Sequence, residues 1–204
     1  MTFINSVLSW FFKQRISQIE YFKNNPVEVQ QDLLKHLLHT ARETVWGKKY
    51  AYREIEDYQT FAKRVPIQDY EAIKPFVERM IKGESNLLWP TDIRWFAKSS
   101  GTTSDKSKFI PVSFESLEDC HYKAGKDVLS IYCNNNPETR LFSGKGLVMG
   151  GSHKVSEINN NAFFGDLSAI LLQNFPYWGE FLRTPDLSLA LIENWEDKLE
   201  KIAL

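Results

Sequence analysis

The chain has 204 residues, of which 43% are hydrophobic and 25% charged, with a formal net charge of −1. That length and composition suit a globular protein able to bury a core without disulfides or metals. The near-neutral balance removes any electrostatic case for nucleic acid or an anionic membrane surface as a partner.

Residues 3–23 carry Val7, Trp10, Phe11, Ile16, Ile19 and Phe22 at helical spacing and predict one amphipathic helix. The stretch has no basic leader region and no small-residue cleavage site, so it does not read as a signal peptide. Asn25-Pro26 with Glu28 is a restart signal, with Asn25 as cap and Pro26 in the first helical position. The helix that follows should turn Leu34, Leu37, Leu38, Ala41 and Val45 inward and stop at Gly47. Residues 48–68 read as irregular apart from a short helix at Tyr58–Ala62. Beyond Pro66 a helix is expected at Asp69–Lys74. Pro75 should start another, with Phe76, Val77, Met80 and Ile81 inward and Gly83 at its end.

A strand is predicted at Ile93–Ala97, then a Ser/Thr-rich loop, then a strand at Phe109–Val112. Ser113 should cap a helix reaching about Tyr132, with Leu117, Tyr122, Ala124, Val128 and Leu129 inward. Gly146–Gly151 reads as a buried strand ending in a glycine turn, and 152–162 as a loop. Gly165-Asp166 opens a short helix through Leu172. Leu187–Leu204 predicts a helix with Leu191, Trp195, Leu199 and Ile202 on its inner face. Its charges, Lys198 and Lys201 among them, are expected in solvent and paired with Glu193, Glu196, Asp197 and Glu200. That helix reaches Leu204 with no capping signal, from which we expect the front part of a longer protein.

The fold class expected is α/β: residues 1–90 mainly helical, then 91–204 with a mixed sheet flanked by helices. The sheet should be built from about 93–97, 109–112 and 146–149. No run approaches the ~20 apolar residues of a membrane span. Cys120 and Cys133 make neither a disulfide framework nor a zinc pattern, so a reduced, cytoplasmic protein is expected. His36 and His39 lie three apart without a third ligand, and no metal site is expected.

Chemistry concentrates in Ser99-Ser100-Gly101-Thr102-Thr103-Ser104-Asp105-Lys106-Ser107-Lys108. A polyphosphate needs closely spaced donors and little bulk. Gly101 lets the backbone approach, and successive N–H groups of such a turn can form an anion nest. The hydroxyls of Ser99, Ser100, Thr102, Thr103 and Ser104 add donors, and Lys106 and Lys108 add positive charge. The Walker pattern is absent. A plain polar surface loop has a similar composition. A short turn would suffice between two apolar strands, so the longer insertion favours a functional loop.

Ser99-Ser100-Gly101-Thr102-Thr103, followed by Lys108 and Pro111, resembles the first nucleotide motif of the auxin-responsive acyl-acid amido synthetases. These belong to the adenylate-forming superfamily, with acyl-CoA synthetases and luciferase. Val65-Pro66-Ile67-Gln68-Asp69-Tyr70 resembles the family's Val-Pro-x-x-x-Tyr segment. Arg79, Gly83-Glu84, Leu88, Trp178 and Arg183-Thr184-Pro185 extend the likeness over most of the chain. The resemblance implies part of the large N-terminal domain of an adenylate-forming enzyme. There a carboxylic acid attacks the α-phosphate of ATP, accompanied by Mg2+, and an amino acid amine then displaces AMP. It implies that Ser99, Ser100, Gly101, Thr102, Thr103 and Ser104 hold the phosphates. Lys108 would be the catalytic charge partner, with Lys106 second. His153, after Gly150-Gly151-Ser152 at a strand end, is a candidate for contact with the acid. His121, in the helix after the loop, is a further candidate. Expected partners are thus a small carboxylic acid and an amino acid.

Ser104-Asp105-Lys106-Ser107-Lys108 stands where acyl-CoA synthetases carry a second glycine and Pro-Lys, a departure that points away from thioester formation. The family's later motifs, for adenine and ribose and near the interdomain hinge, are not in these residues. A thioester-forming ligase and a non-catalytic acid-binding or interaction domain stand as alternatives.

Overall fold

In the computed structural model, which describes residues 3–99, 108–151, 156–159 and 162–203, a polar residue orients the first helix. Helix α1 (Phe3–Lys13) turns Asn5, Leu8 and Phe12 inward. Asn5 is 1% exposed; its amide donates to the Thr139 carbonyl (3.0 Å) and its Oδ1 accepts from the Phe142 N–H (3.1 Å). Phe12 stacks on Phe142 with ring centroids 5.2 Å apart and packs with Cys133. Val7, Trp10 and Phe11, expected inside, face outward. An apolar pattern cannot register a buried amide whose two backbone bonds fix the helix rotation.

The single helix expected over 3–23 is two. The N–H groups of Gln14 and Arg15 close onto Phe11 and Phe12 in tight turns, and α2 (Ile16–Asn24) starts afresh. At the break Arg15 grips Asp127 with two bonds, at 2.6 and 3.2 Å. Helix α3 (Pro26–Ala41) starts at Pro26 as expected and buries Leu38 and Ala41. The Asn25 side chain makes no cap bond; its amide donates back to the Tyr21 carbonyl. Gly47 is no stop. Thr44 caps α4 (Val45–Lys49) by accepting from the Gly47 N–H. A Cβ at Gly47 would lie 2.1 Å from the Ala41 carbonyl oxygen, so the residue permits close backbone approach.

Helix α5 (Tyr58–Arg64) matches the expected short helix. Helix α6 (Tyr70–Ile81) runs unbroken through Pro75, which the sequence reading took as a new start. The ring removes a single N–H, the one that would bond back to Glu71, and the buried Val77 and Met80 hold the helix on its core. Gly83, at φ 90°, ends the turn that follows.

The second half runs β1 (Trp95–Lys98), β2 (Phe109–Val112), a π-helical turn (Ser116–Tyr122) leading into α7 (Lys123–Asn135), β3 (Gly146–Leu147), β4 (Ser156–Asn159), β5 (Ala162–Gly165), α8 (Leu167–Gln173), β6 (Arg183–Thr184), α9 (Leu187–Ala190) and α10 (Trp195–Ala203). The main sheet has the order β2-β1-β5-β4, with β1 and β5 parallel and the other pairs antiparallel. The class is α/β, with helices before a mixed sheet and helices on its faces. Phe96 packs with Val77, Met80, Leu87 and Ile93 on one face, while its neighbour Ala97 packs with Val112, Leu117 and Ile170 on the other.

The third strand expected at 146–149 is not in this sheet. Gly146–Leu147, itself exposed, pairs with Arg183–Thr184 as a separate small ribbon, and Ala162–Gly165 takes the central place beside β1. The polar run expected to be a loop hides β4 and the approach to β5. Ser113 caps as expected, its Oγ accepting from the Ser116 N–H at 3.0 Å. The π-helical turn then shifts the helical phase, so Leu117 is buried as expected, while Ala124 and Val128 are exposed and Ser130 and Cys133 are buried.

Candidate functional site

Ser99 and Lys108 close the base of the Ser/Thr-rich loop. The Ser99 N–H donates to the Lys108 carbonyl (2.9 Å), and the Lys108 N–H donates to Ser99 Oγ (3.1 Å). The hydroxyl of Ser99 thus spends an acceptor site on the loop base and keeps its proton to donate. Ser100, Gly101, Thr102, Thr103 and Ser104, with Asp105 and Lys106, lie outside the described residues, as does His153.

Strand register turns the next residue outward. Since Ser99 and Lys108 exchange a bond, the pair Lys98 and Phe109 is of the non-hydrogen-bonded kind, and Phe109 aims its N–H and C=O away from β1. Among the described residues β2 is an edge strand, and no neighbour strand meets them. Tyr70, the first residue of α6, does. Its hydroxyl accepts from the Phe109 N–H (3.0 Å) and donates to the Phe109 carbonyl (3.3 Å). The Lys108 ammonium sits 5.4 Å from the centre of the same ring. Asp69 places Tyr70, because its carboxylate caps α6 by accepting from the Ala72 N–H at 2.9 Å.

The parallel strands β1 and β5 end on the same side, β1 at this loop and β5 at Asp166. Ligands of open α/β sheets gather at such carboxyl ends. The Gly150-Gly151 segment is drawn to the same end: the Gly151 N–H donates to Ser168 Oγ (2.9 Å), and a Cβ on Gly151 would lie 2.2 Å from Asp166 Oδ2. Lys198 locks this segment from beneath. Fully buried, it donates to the Gly150 and Gly151 carbonyls at 3.3 and 3.2 Å and lies over the Trp195 ring. This corrects the sequence reading of the last segment. The described part of that segment forms two helices, α10 turns Lys198 inward, and Trp195 and Leu199 are about half exposed. The inward-facing carbonyls of Gly150 and Gly151 need a donor, and the lysine supplies it.

An apolar cavity of about 450 Å3 abuts the first turn of α8. Its lining includes His121, Tyr122, Gly125, Leu129, Val148, Met149, Ser168 and Leu171. The Tyr122 hydroxyl donates to the Leu171 carbonyl at 2.8 Å, and burial, with Glu118 nearby, pushes its pKa up to about 12. His121 therefore reaches a pocket wall. A larger concavity, about 650 Å3, is lined only by residues between Lys35 and Glu56, His39 among them, and its charged rim is remote from the loop in sequence. Among the described residues no group of His, Cys, Asp or Glu could hold a metal, and no helix is long and apolar enough to cross a membrane.

Arg183, from the family-like Arg183-Thr184-Pro185, is 4% exposed; it donates to the Glu180 carboxylate and to the Pro185 carbonyl, a structural role. Sequence periodicity missed Lys198, Ser168 and Asp166. The Gly150-Gly151 pair was the available signal, since glycines permit the close approach that Asp166 makes to Gly151.

The model of the GH3 family N-terminal domain matches residues 15–204. Indole-3-acetic acid-amido synthetase GH3.2 of Arabidopsis thaliana is 31% identical over 132 residues, 63% of this chain and 23% of that protein. Among solved structures, GH3.15 acyl acid amido synthetase superposes with a TM-score of 0.72 at 20% identity, covering 92% of this chain and 32% of that one. AtGH3.15 acyl acid amido synthetase in complex with 2,4-DB superposes with a TM-score of 0.67 at 23% identity, covering 79% of this chain and 28% of that one. The chain thus spans 23–32% of the length of these relatives. With a family model matched over residues 15–204, the chain belongs to the GH3 family.

Proposed function

We propose that this chain is the N-terminal part of an adenylation domain that activates a small carboxylic acid with ATP and passes it to an amino acid. A carboxylate oxygen attacks the α-phosphorus, the bond to the bridging oxygen breaks, and pyrophosphate leaves. The amine nitrogen then attacks the acyl carbon, the C–O bond to AMP breaks, and the amine sheds a proton as the amide forms. Ser99, Ser100, Gly101, Thr102, Thr103 and Ser104 hold the phosphates, and Lys108 offsets charge as pyrophosphate departs. The acyl group occupies the apolar cavity, with His153 as a contact. Mg2+ would accompany the ATP phosphates, since this ion commonly binds through substrate phosphate oxygens. The reaction belongs in the cytoplasm, where ATP and free amino acids meet.

The observation that carries this reading is the Ser99–Lys108 pair, which opens the loop at the carboxyl end of the parallel strands, where β5 runs on into α8, the helix that lines the cavity. Family membership supports the choice of amide over thioester. The test is acid-dependent exchange of labelled pyrophosphate into ATP by the protein expressed from its native gene. Silence across a broad panel of aromatic and aliphatic acids would sink adenylation. Acid binding without exchange would favour the non-catalytic domain. Offering amino acids and coenzyme A side by side separates the amide product from the thioester.

A further inference from the structure

An edge strand leaves a row of backbone groups unpaired, and a loop anchored on such an edge inherits its freedom. Here one side chain removes that freedom at the point where the loop returns. The Tyr70 hydroxyl engages both polar groups of Phe109, 39 residues away in sequence. The face of its ring carries the Lys108 ammonium. Cap, ring and strand form a chain of fixed geometry: Asp69 sets the start of α6, α6 sets Tyr70, and Tyr70 sets the backbone next to Lys108.

We propose that Tyr70 is a positioning residue for the nucleotide, presetting the closing end of the phosphate loop and the direction of the Lys108 ammonium. Because the loop end is fixed before ATP arrives, less ordering is charged against binding. The inference rests on the reading of the loop as an ATP-phosphate site. Tyr70 touches no reacting atom in this scheme; it acts through Phe109 and Lys108.

The experiment uses the protein expressed from its native gene, with Tyr70→Phe and Tyr70→Leu compared in the pyrophosphate exchange assay. Tyr70→Phe keeps the ring under Lys108 and removes the hydroxyl. It removes both bonds to Phe109 and should raise KM for ATP about fivefold or more, with KM for the acid unchanged. Tyr70→Leu also removes the ring and should raise KM for ATP further, again sparing the acid. A Tyr70→Phe protein with unaltered KM for ATP overturns the proposal. So does an equal change in both Michaelis constants that tracks a lowered melting temperature, since that marks a general structural role. If the unsubstituted protein shows no acid-dependent exchange, the nucleotide reading itself falls and takes this inference with it. Normal exchange with an indifferent Tyr70→Phe removes Tyr70 alone.

Discussion

Lys198 donates to the carbonyl of Gly151 at 3.2 Å from a side chain with no exposed surface. It serves Gly150 as well, at 3.3 Å. Lys198→Ala leaves both carbonyls without this donor and opens a void beneath the segment. Each orphaned buried acceptor costs about 1–3 kcal/mol. Urea denaturation should therefore show a loss on the order of 2–4 kcal/mol. An unchanged midpoint would mean that another donor serves the two carbonyls.

Lys108 is bound to the fold mainly through its backbone, which pairs with Ser99. Among the described residues its ammonium meets the Tyr70 ring, a contact worth about 0.5–1 kcal/mol. Lys108→Ala should thus barely move the melting temperature while raising KM for ATP about tenfold or more, as expected for a lost charge-assisted contact. Equal kinetics in variant and parent would take Lys108 out of the site.

Gly125 lines the apolar cavity from α7, and a Cβ there would meet no atom within 4 Å. Gly125→Leu should fill the pocket without a backbone clash. A helical glycine costs about 1 kcal/mol against a good helix former, so stability should hold or rise. The signature is a raised KM for the acid, an unchanged KM for ATP and an unimpaired melting curve. An acid constant that stays put would separate this cavity from the substrate.

Tyr122 holds its proton more tightly in the fold than in the unfolded chain, at about 12 against about 10. That stabilisation is complete below about pH 10 and is lost as pH rises through about 12. Tyr52, which burial also pushes up, acts in the same direction. Tyr122→Phe should lower stability at neutral pH, through the bond lost to Leu171, yet make its decline above about pH 10 shallower. Urea midpoints across that range decide; parallel declines in parent and variant would assign the alkaline loss to other groups.

Local chemistry made strand β2 readable, since its apolar residues state their own preference. Rotation about a helix axis was less readable. Asn5 and Lys198 are polar residues that point inward because distant backbone groups need them, and such groups have no trace in a window of neighbouring residues. The turn at Ser116–Tyr122 shows a second cause: a stretch of altered pitch throws later positions such as Ala124 and Val128 out of step, while Leu129 still packs on the core. Tyr70 could be noticed in a family-like segment, yet its role emerged only from the register that turns Phe109 outward.

That same register bears on how the sheet ends. On β2 the outward-facing positions are Phe109 and Pro111, opposite Lys98 and Phe96. Tyr70 occupies the N–H of Phe109, and Pro111 has none to offer. The rim of the sheet therefore presents no free main-chain donor along this strand. A stray strand from another molecule would find carbonyls there but nothing to receive its own, and stacking of copies edge to edge is blocked on the side that bears the loop.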